Sequence, residues 1–204
     1  MARTLEDVNA ADLAGGGGLQ AEGKFHFIVE DITDGKETKS GSMLNGLFAK
    51  CKVLHGEHEG STFTIEMLDP TMNSSDGGAF ARKKQAAFLI AANVLTPAQV
   101  NGGVVSYDEQ LARGSQIIAE IRLGRENDNG KRYLELHYSN VYHVDDPRVA
   151  DVPKSEEILS VIPANHRHKG DNDFFGPMIG ARKSSTQPSG GSATSAAEPN
   201  FDGI

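Results

Sequence analysis

Residues 45–68, NGLFAKCKVLHGEHEGSTFTIEML, read as one β-hairpin, and that hairpin constrains the rest of the chain. In its first arm Leu47, Ala49, Cys51 and Val53 alternate with Phe48, Lys50, Lys52 and Leu54. In its second arm Phe63, Ile65 and Met67 alternate with Thr62, Thr64, Glu66 and Leu68. Successive side chains on a strand point to opposite faces, so this alternation marks two half-buried strands. The loop between them, Gly56-Glu57-His58-Glu59-Gly60, has a glycine at each end, where positive φ is most easily adopted. The first arm then has an apolar inner face and an outer face of Phe48, Lys50 and Lys52. A ring beside two ammonium groups suits a single-stranded nucleic acid, with bases stacking on the ring and phosphates meeting the lysines. The plainer alternative is a solvated strand face with one stray Phe, since single exposed apolar residues are common.

Four further segments complete the pattern. KFHFIVE (24–30) alternates Phe25, Phe27 and Val29 against Lys24, His26 and Ile28 and predicts a first strand, with Phe25, Phe27 and Phe63 in the core. Residues 31–44 are polar and read as a loop. AFARKKQAAFLIAANVL (79–95) is the clearest helix. Phe80, Ala87, Ala91 and Leu95 recur near 3.6 residues, and Asp76 is the expected N-cap. Thr96-Pro97 predicts an N-cap and first position of a short turn, and Ser106 with Glu109 a capping box. Residues 116–123 predict a fourth strand with Ile117, Ala119, Ile121 and Leu123 inward and Ile118, Glu120 and Arg122 outward. After the RENDNG turn, residues 131–144 predict a fifth, with Leu134, Leu136 and Tyr138 alternating against Tyr133, Glu135 and His137. Five strands with the main helix between the third and fourth is the element order of an OB-fold-like Greek-key barrel, whose middle strands and flanking loops bind oligonucleotides or oligosaccharides.

The divisions expected are a flexible N-terminal arm (1–22), the OB-like domain (23–147), a weakly structured extension (148–183) and a disordered tail (184–204). The Ser/Gly/Ala/Pro composition of that tail buries too little apolar area to offset ordering entropy. It ends in an acidic and apolar tip, Glu198, Phe201, Asp202 and Ile204. The chain has 204 residues, one cysteine (Cys51, expected as a buried thiol) and a net charge of −8. No apolar run approaches the ~20 residues of a membrane helix. A cytoplasmic protein without a membrane partner is therefore expected, in the bacterial host if phage-encoded. Residues 23–145 carry 13 bases and 16 acids, so a nucleic-acid face must arise from local clustering.

The chain from Gly23 to Pro147, with its GKFHF opening, its HGEHEGSTFTIEML hairpin and its ARKKQAAFLIAANVL helix, followed by the NFDGI ending, resembles bacteriophage and bacterial single-stranded DNA-binding proteins. It looks most like a phage OB-fold family within that group. The resemblance implies non-catalytic binding and protection of single-stranded DNA in replication, recombination or repair, without a cofactor. It also implies a tail tip (Glu198, Phe201, Asp202, Ile204) that docks replication or recombination proteins. The tip departs from the usual pattern by ending in Gly-Ile. The nucleic-acid contacts expected are Phe48, Lys50 and Lys52 on strand two, Lys131, Arg132 and Tyr133 at the start of strand five, and Arg122 and His137 on the last hairpin. Arg82, Lys83 and Lys84 are a weaker set, because the helix of an OB-fold plugs the barrel bottom away from the groove. The acidic tail is expected to compete with DNA for the basic groove.

Three rival readings carry less. His55 and His58 with Glu57 and Glu59, or His166 and His168 with Asp171 and Asp173, have residue types that bind zinc. The first set is held in a tight loop and the second in a weakly patterned stretch. Both read as solvent-exposed polar residues, and neither a metal site nor a catalytic residue is expected. No P-loop, dinucleotide-binding or nucleophile-elbow motif occurs. A replication adaptor that binds proteins through the same barrel fits the acidic balance. Oligosaccharide binding fits poorly with 6% aromatics and no Trp. Oligomeric state is left open, with a homo-oligomer compatible.

Overall fold

The computed structural model describes residues 18–38, 41–69, 75–100 and 103–179. In chain order it contains β1 (Gly23–Glu37), β2 (Met43–Val53), β3 (Thr62–Leu68), α1 (Ser75–Ala91), α2 (Pro97–Val100), β4 (Gln116–Leu123), β5 (Leu134–His143), α3 (Glu156–Ser160) and α4 (Asn172–Ile179). The five strands form one antiparallel sheet in the order β3-β2-β1-β4-β5. Five strands with the main helix after the third agree with the OB-like expectation. β3 and β5 are the outermost strands, and both line one cleft without a ladder joining them among the described residues.

One face of the sheet carries the core. Phe27, Val29, Ala49, Cys51, Ile65, Met67, Ile117, Ala119 and Ile121 are buried there, packed with Phe88, Leu89, Ala91 and Ala92 of α1. Phe25 and Phe63 pack at its margin. Cys51 is fully buried, and burial raises its thiol pKa. α1 ends at Ala91 and is followed by Asn93, whose φ of 59° lets Val94 N donate to Leu89 O at 2.9 Å. Asn tolerates this left-handed conformation better than most residues with a Cβ. Thr96 and Pro97 start α2 as expected, with Thr96 N donating to Gln99 Oε1 at 2.7 Å.

Several local readings are corrected. Residues 31–37 and 43–44 are strand rather than loop, because β1 runs on through two bulges, near Glu30 and Gly35, and pairs with β2 as far as Glu37 opposite Met43. Bulges bend and twist a strand without ending it, so the polar pattern hid the continuation. Asp76 lies inside α1 rather than before it. Asp108, not Ser106, caps the turn at Glu109–Ala112 by accepting from Gln110 N at 3.0 Å. β5 starts at Leu134, three residues later than expected. Of the N-terminal arm, residues 18–22 are packed. Leu19 is buried and donates its N–H to Thr62 O at 2.8 Å, and Glu22 accepts from Leu123 N at 2.6 Å. The rest of that arm, like the tail with Glu198, Phe201, Asp202 and Ile204, lies outside the described residues.

Residues 148–179 are also a correction, since they form an ordered strap. Val149 and Val152 cover Ile118 and Tyr142 on the sheet face opposite α1. Gln116 donates to Ile158 O at 2.9 Å. The strap then reaches the core side, where Phe174 and Phe175 join the main cluster. A polar knot fixes this passage. Arg167 pairs with the buried Asp145 through two hydrogen bonds, at 2.8 and 2.7 Å, and His168 N donates to the same carboxylate at 2.8 Å. The His168 ring stacks on Phe174 at 3.8 Å and lies 2.9 Å from Asn93 Oδ1. His143 accepts from Asp145 N at Nδ1, which leaves Nε2–H to donate to His166 O at 2.9 Å. The ring of His168 is therefore structural, and both His166 and His168 are half-buried instead of solvent-exposed. Sequence could not show this, because their partners lie up to 75 residues away.

Burial pushes two imidazoles, His26 and His143, down to about 4 from the ordinary 6.5. His26 Nε2 meets Gln116 Oε1 at 3.0 Å, while its buried Nδ1 has no partner. Both rings fold neutral, and the unfolded chain binds protons first as pH falls. Their contribution to stability is thus complete above pH 6.5 and declines between 6.5 and about 4. Thermal melts across this window should show a falling Tm, and a His26→Gln variant should show a shallower fall. Parallel curves for the two proteins would contradict the assignment.

Candidate nucleic-acid interface

α1 covers one face of the sheet and the strap covers Ile118 and Tyr142 on the other, while the outer face of β2 carries exposed polar side chains. On the outer face of β2, Lys50 and Lys52 stand opposite Thr64 and Thr62 of β3. Both lysines are exposed. Lys50 has one loose ion pair, 3.5 Å to Glu30, of a kind worth only ~0–1 kcal/mol. Lys52 has no ion-pair partner among the described residues. Two hydroxyls and two largely uncommitted ammonium groups can donate to a phosphate backbone.

Phe48 corrects the expected site. It lies on the same face as Lys50 and Lys52 but is only 4% exposed. Lys36, from the continuation of β1, places its ammonium 5.7 Å from the ring centroid and 2.9 Å from Glu66, the cross-strand neighbour of Phe48. The ring is thus covered by an ion pair and offers no open stacking surface.

The aromatic surface lies on the other side of β3. A cleft of 640 Å³ between β3 and β5 is lined by Thr64, Glu66, Phe80, Lys84, Tyr133 and Glu135, among others. Thr64 both faces Lys50 and lines this cleft, so the two surfaces are contiguous. Tyr133 is 63% exposed and Tyr138 64%. Phe80, 43% exposed, meets Tyr138 edge-to-face at 6.4 Å. Phe80 and Tyr138 were expected on inward faces. Tyr138 escapes because β5 bulges between the Ala119 and Ile121 registers, where Tyr138 takes a φ of 53°. A bulky residue at positive φ is an outlier, and such backbone strain clusters at functional sites.

The other expected residues divide. Lys131 is exposed, with its ammonium uncommitted among the described residues. Arg132 is tied down, donating to Gly124 O at 2.8 Å and Leu123 O at 3.2 Å, so it braces the β4–β5 turn. Arg122 pairs with Glu120 at 2.8 Å. His137 packs its ring against Tyr138 at 4.5 Å. Lys84, from the weaker helix set, is half-buried in the cleft, and desolvation lowers its pKa. Arg82 and Lys83 are exposed, with Lys83 at a separate cleft on the far side of α1. The first turns of α1 thus border the exposed surface instead of being remote from it. Sequence missed Phe80 and Tyr138, because an exposed aromatic in a bulge or at a helix start looks like a core residue in a periodic pattern.

Among the described residues, no group of three or more His, Cys, Asp or Glu side chains is placed to hold a metal ion. No helix among them is long and apolar enough to cross a membrane. No family model and no curated protein matches the sequence.

If the strain at Tyr138 is held for its exposed ring and not for packing, Tyr138→Asn should leave stability level or raise it by up to ~1 kcal/mol, since Asn accepts positive φ. A urea-denaturation loss above ~1 kcal/mol would show that the ring is a packing element.

Proposed function

We propose that the protein binds single-stranded DNA without catalysis, along a path that crosses Lys50 and Lys52 and continues past Tyr133 and the β3–β5 cleft. The observation that carries this reading is the continuity of the exposed Lys50 and Lys52 with exposed rings around β3, in a chain that is acidic overall. Lysines meet phosphates, and rings stack bases at roughly 1–3 kcal/mol each. Of the acids that line the cleft, Glu66 is paired with Lys36. By its resemblance, the reading extends to protection of DNA during replication, recombination or repair. The tip residues Glu198, Phe201, Asp202 and Ile204 would then recruit partner proteins.

The test is fluorescence anisotropy with a labelled oligothymidine of about 30 nucleotides, longer than the ~4–16 covered by one OB fold. Titrations at several salt concentrations, with duplex and oligouridine controls, should show salt-sensitive binding to the single strand. Lys50→Ala with Lys52→Ala should weaken it and flatten the log–log salt slope by about 1.4, or ~0.7 per lost phosphate contact. Lys169→Ala, a loss of charge on the strap, should change little. Absence of binding at low salt would defeat the proposal and favour a protein-binding adaptor.

A further inference from the structure

The β3–β5 cleft holds one acid that has no hydrogen bond or ion pair within 4 Å among the described residues. Glu66 is engaged by Lys36 at 2.9 Å. Glu135 is not engaged. Its cross-strand neighbour Arg122 turns instead to Glu120, leaving Glu135 exposed and without an ion pair within 4 Å among the described residues. The Glu135 side chain is turned toward the start of the β4–β5 turn. Its carboxyl group lies against Gly124, where an added Cβ would meet Glu135 Cδ at 2.6 Å and its two oxygens at 2.7 and 2.9 Å. Glycine at 124 thus leaves room for the carboxylate of Glu135, whose residue lines the cleft.

Lys84 lines the same cleft, with its charge influenced by Glu135. Tyr133 and Phe80 supply exposed rings. The 640 Å³ volume falls within the ~300–1,000 Å³ of small-ligand pockets. The cleft therefore combines stacking surfaces, a two-oxygen acceptor and an ammonium donor. Proteins that read single strands use such groups on splayed-out bases, through stacking and Watson–Crick-edge hydrogen bonds.

The bases differ in how well they match. A carboxylate only accepts and an ammonium only donates. Guanine offers two adjacent donors, N1–H and the 2-amino group, which match the two carboxylate oxygens, and its O6 accepts from an ammonium. Thymine offers one donor, N3–H, flanked by carbonyl oxygens that repel the second carboxylate oxygen. Cytosine and adenine each place a ring-nitrogen acceptor beside their amino group.

We propose that the β3–β5 cleft receives one unstacked guanine of a bound single strand, with Glu135 accepting from its N1–H and 2-amino group and Lys84 donating to O6. This rests on the single-strand reading above and adds a base preference to it. Gly124 acts as the positioning residue for Glu135.

The experiment compares three labelled strands of equal length by anisotropy: all thymidine, thymidine with isolated guanosines, and the same with inosines, which lack the 2-amino group. Isolated guanosines avoid strand self-association. The wild-type protein should favour the guanosine strand over all-thymidine by at least about fivefold, the low end expected of a bidentate contact, with inosine weaker than guanosine. Glu135→Gln should bring the guanosine and thymidine strands to near-equal affinity while thymidine binding persists. Gly124→Ala, which displaces the carboxylate without removing it, should reduce the preference in the same direction. Equal wild-type affinity for guanosine and thymidine strands would overturn the proposal and leave the single-strand reading standing. So would a preference that survives Glu135→Gln. Failure to bind any strand would overturn both.

Discussion

The buried Asp145 carboxylate and its partners hold the molecule's second layer in place. Asp145 is removed from water and satisfied by Arg167 and His168 N–H, both from a segment more than 20 residues further along the chain. A buried charge that loses its partner is costly, on the order of 3–5 kcal/mol, so the strap is bound to this point. Asn93 ties the same knot to the end of α1, through the αL residue that terminates the helix. One cluster therefore sets the position of the helix end, the end of β5 and the path of residues 147–179 relative to each other.

That anchoring determines where a ligand can go. With the strap across Ile118 and Tyr142, and α1 with Phe174 and Phe175 on the other face, the sheet around β1, β4 and β5 is largely occupied. Among the described residues, the strap leaves the β2–β3 outer face and the seam between β3 and β5 uncovered. The uncommitted lysines and the exposed rings both lie there. The net charge of −8 is compatible with this arrangement because many acids are in ion pairs or distant from β3, as with Asp145, Asp146 and Glu120.

The sheet was legible in the sequence because its inner positions alternate cleanly. Ala49, Cys51, Ile65, Met67, Ile117, Ala119 and Ile121 are buried where period-two patterning places them. Lys50 and Lys52 were legible for the same reason. Phe48 was not, because its cover comes from Lys36 in a stretch whose polar composition concealed a bulged strand. Tyr138 was misplaced because a bulge shifts the alternation that periodicity assumes. The strap was illegible because its stability comes from long-range polar contacts and two phenylalanines. Its own helices are short, and isolated helices of this length are marginal in water. The tail tip lies outside the described residues.

The central claim is that single-stranded DNA runs across β3 and not over the strap. Backbone amide spectra of the isotope-labelled protein, recorded while an oligothymidine is added, test this most directly. The account predicts the largest shifts at residues 50–52, 62–64 and 133–138, with residues 147–179 little changed. Shifts concentrated on the strap, or none at saturating oligonucleotide, would contradict it.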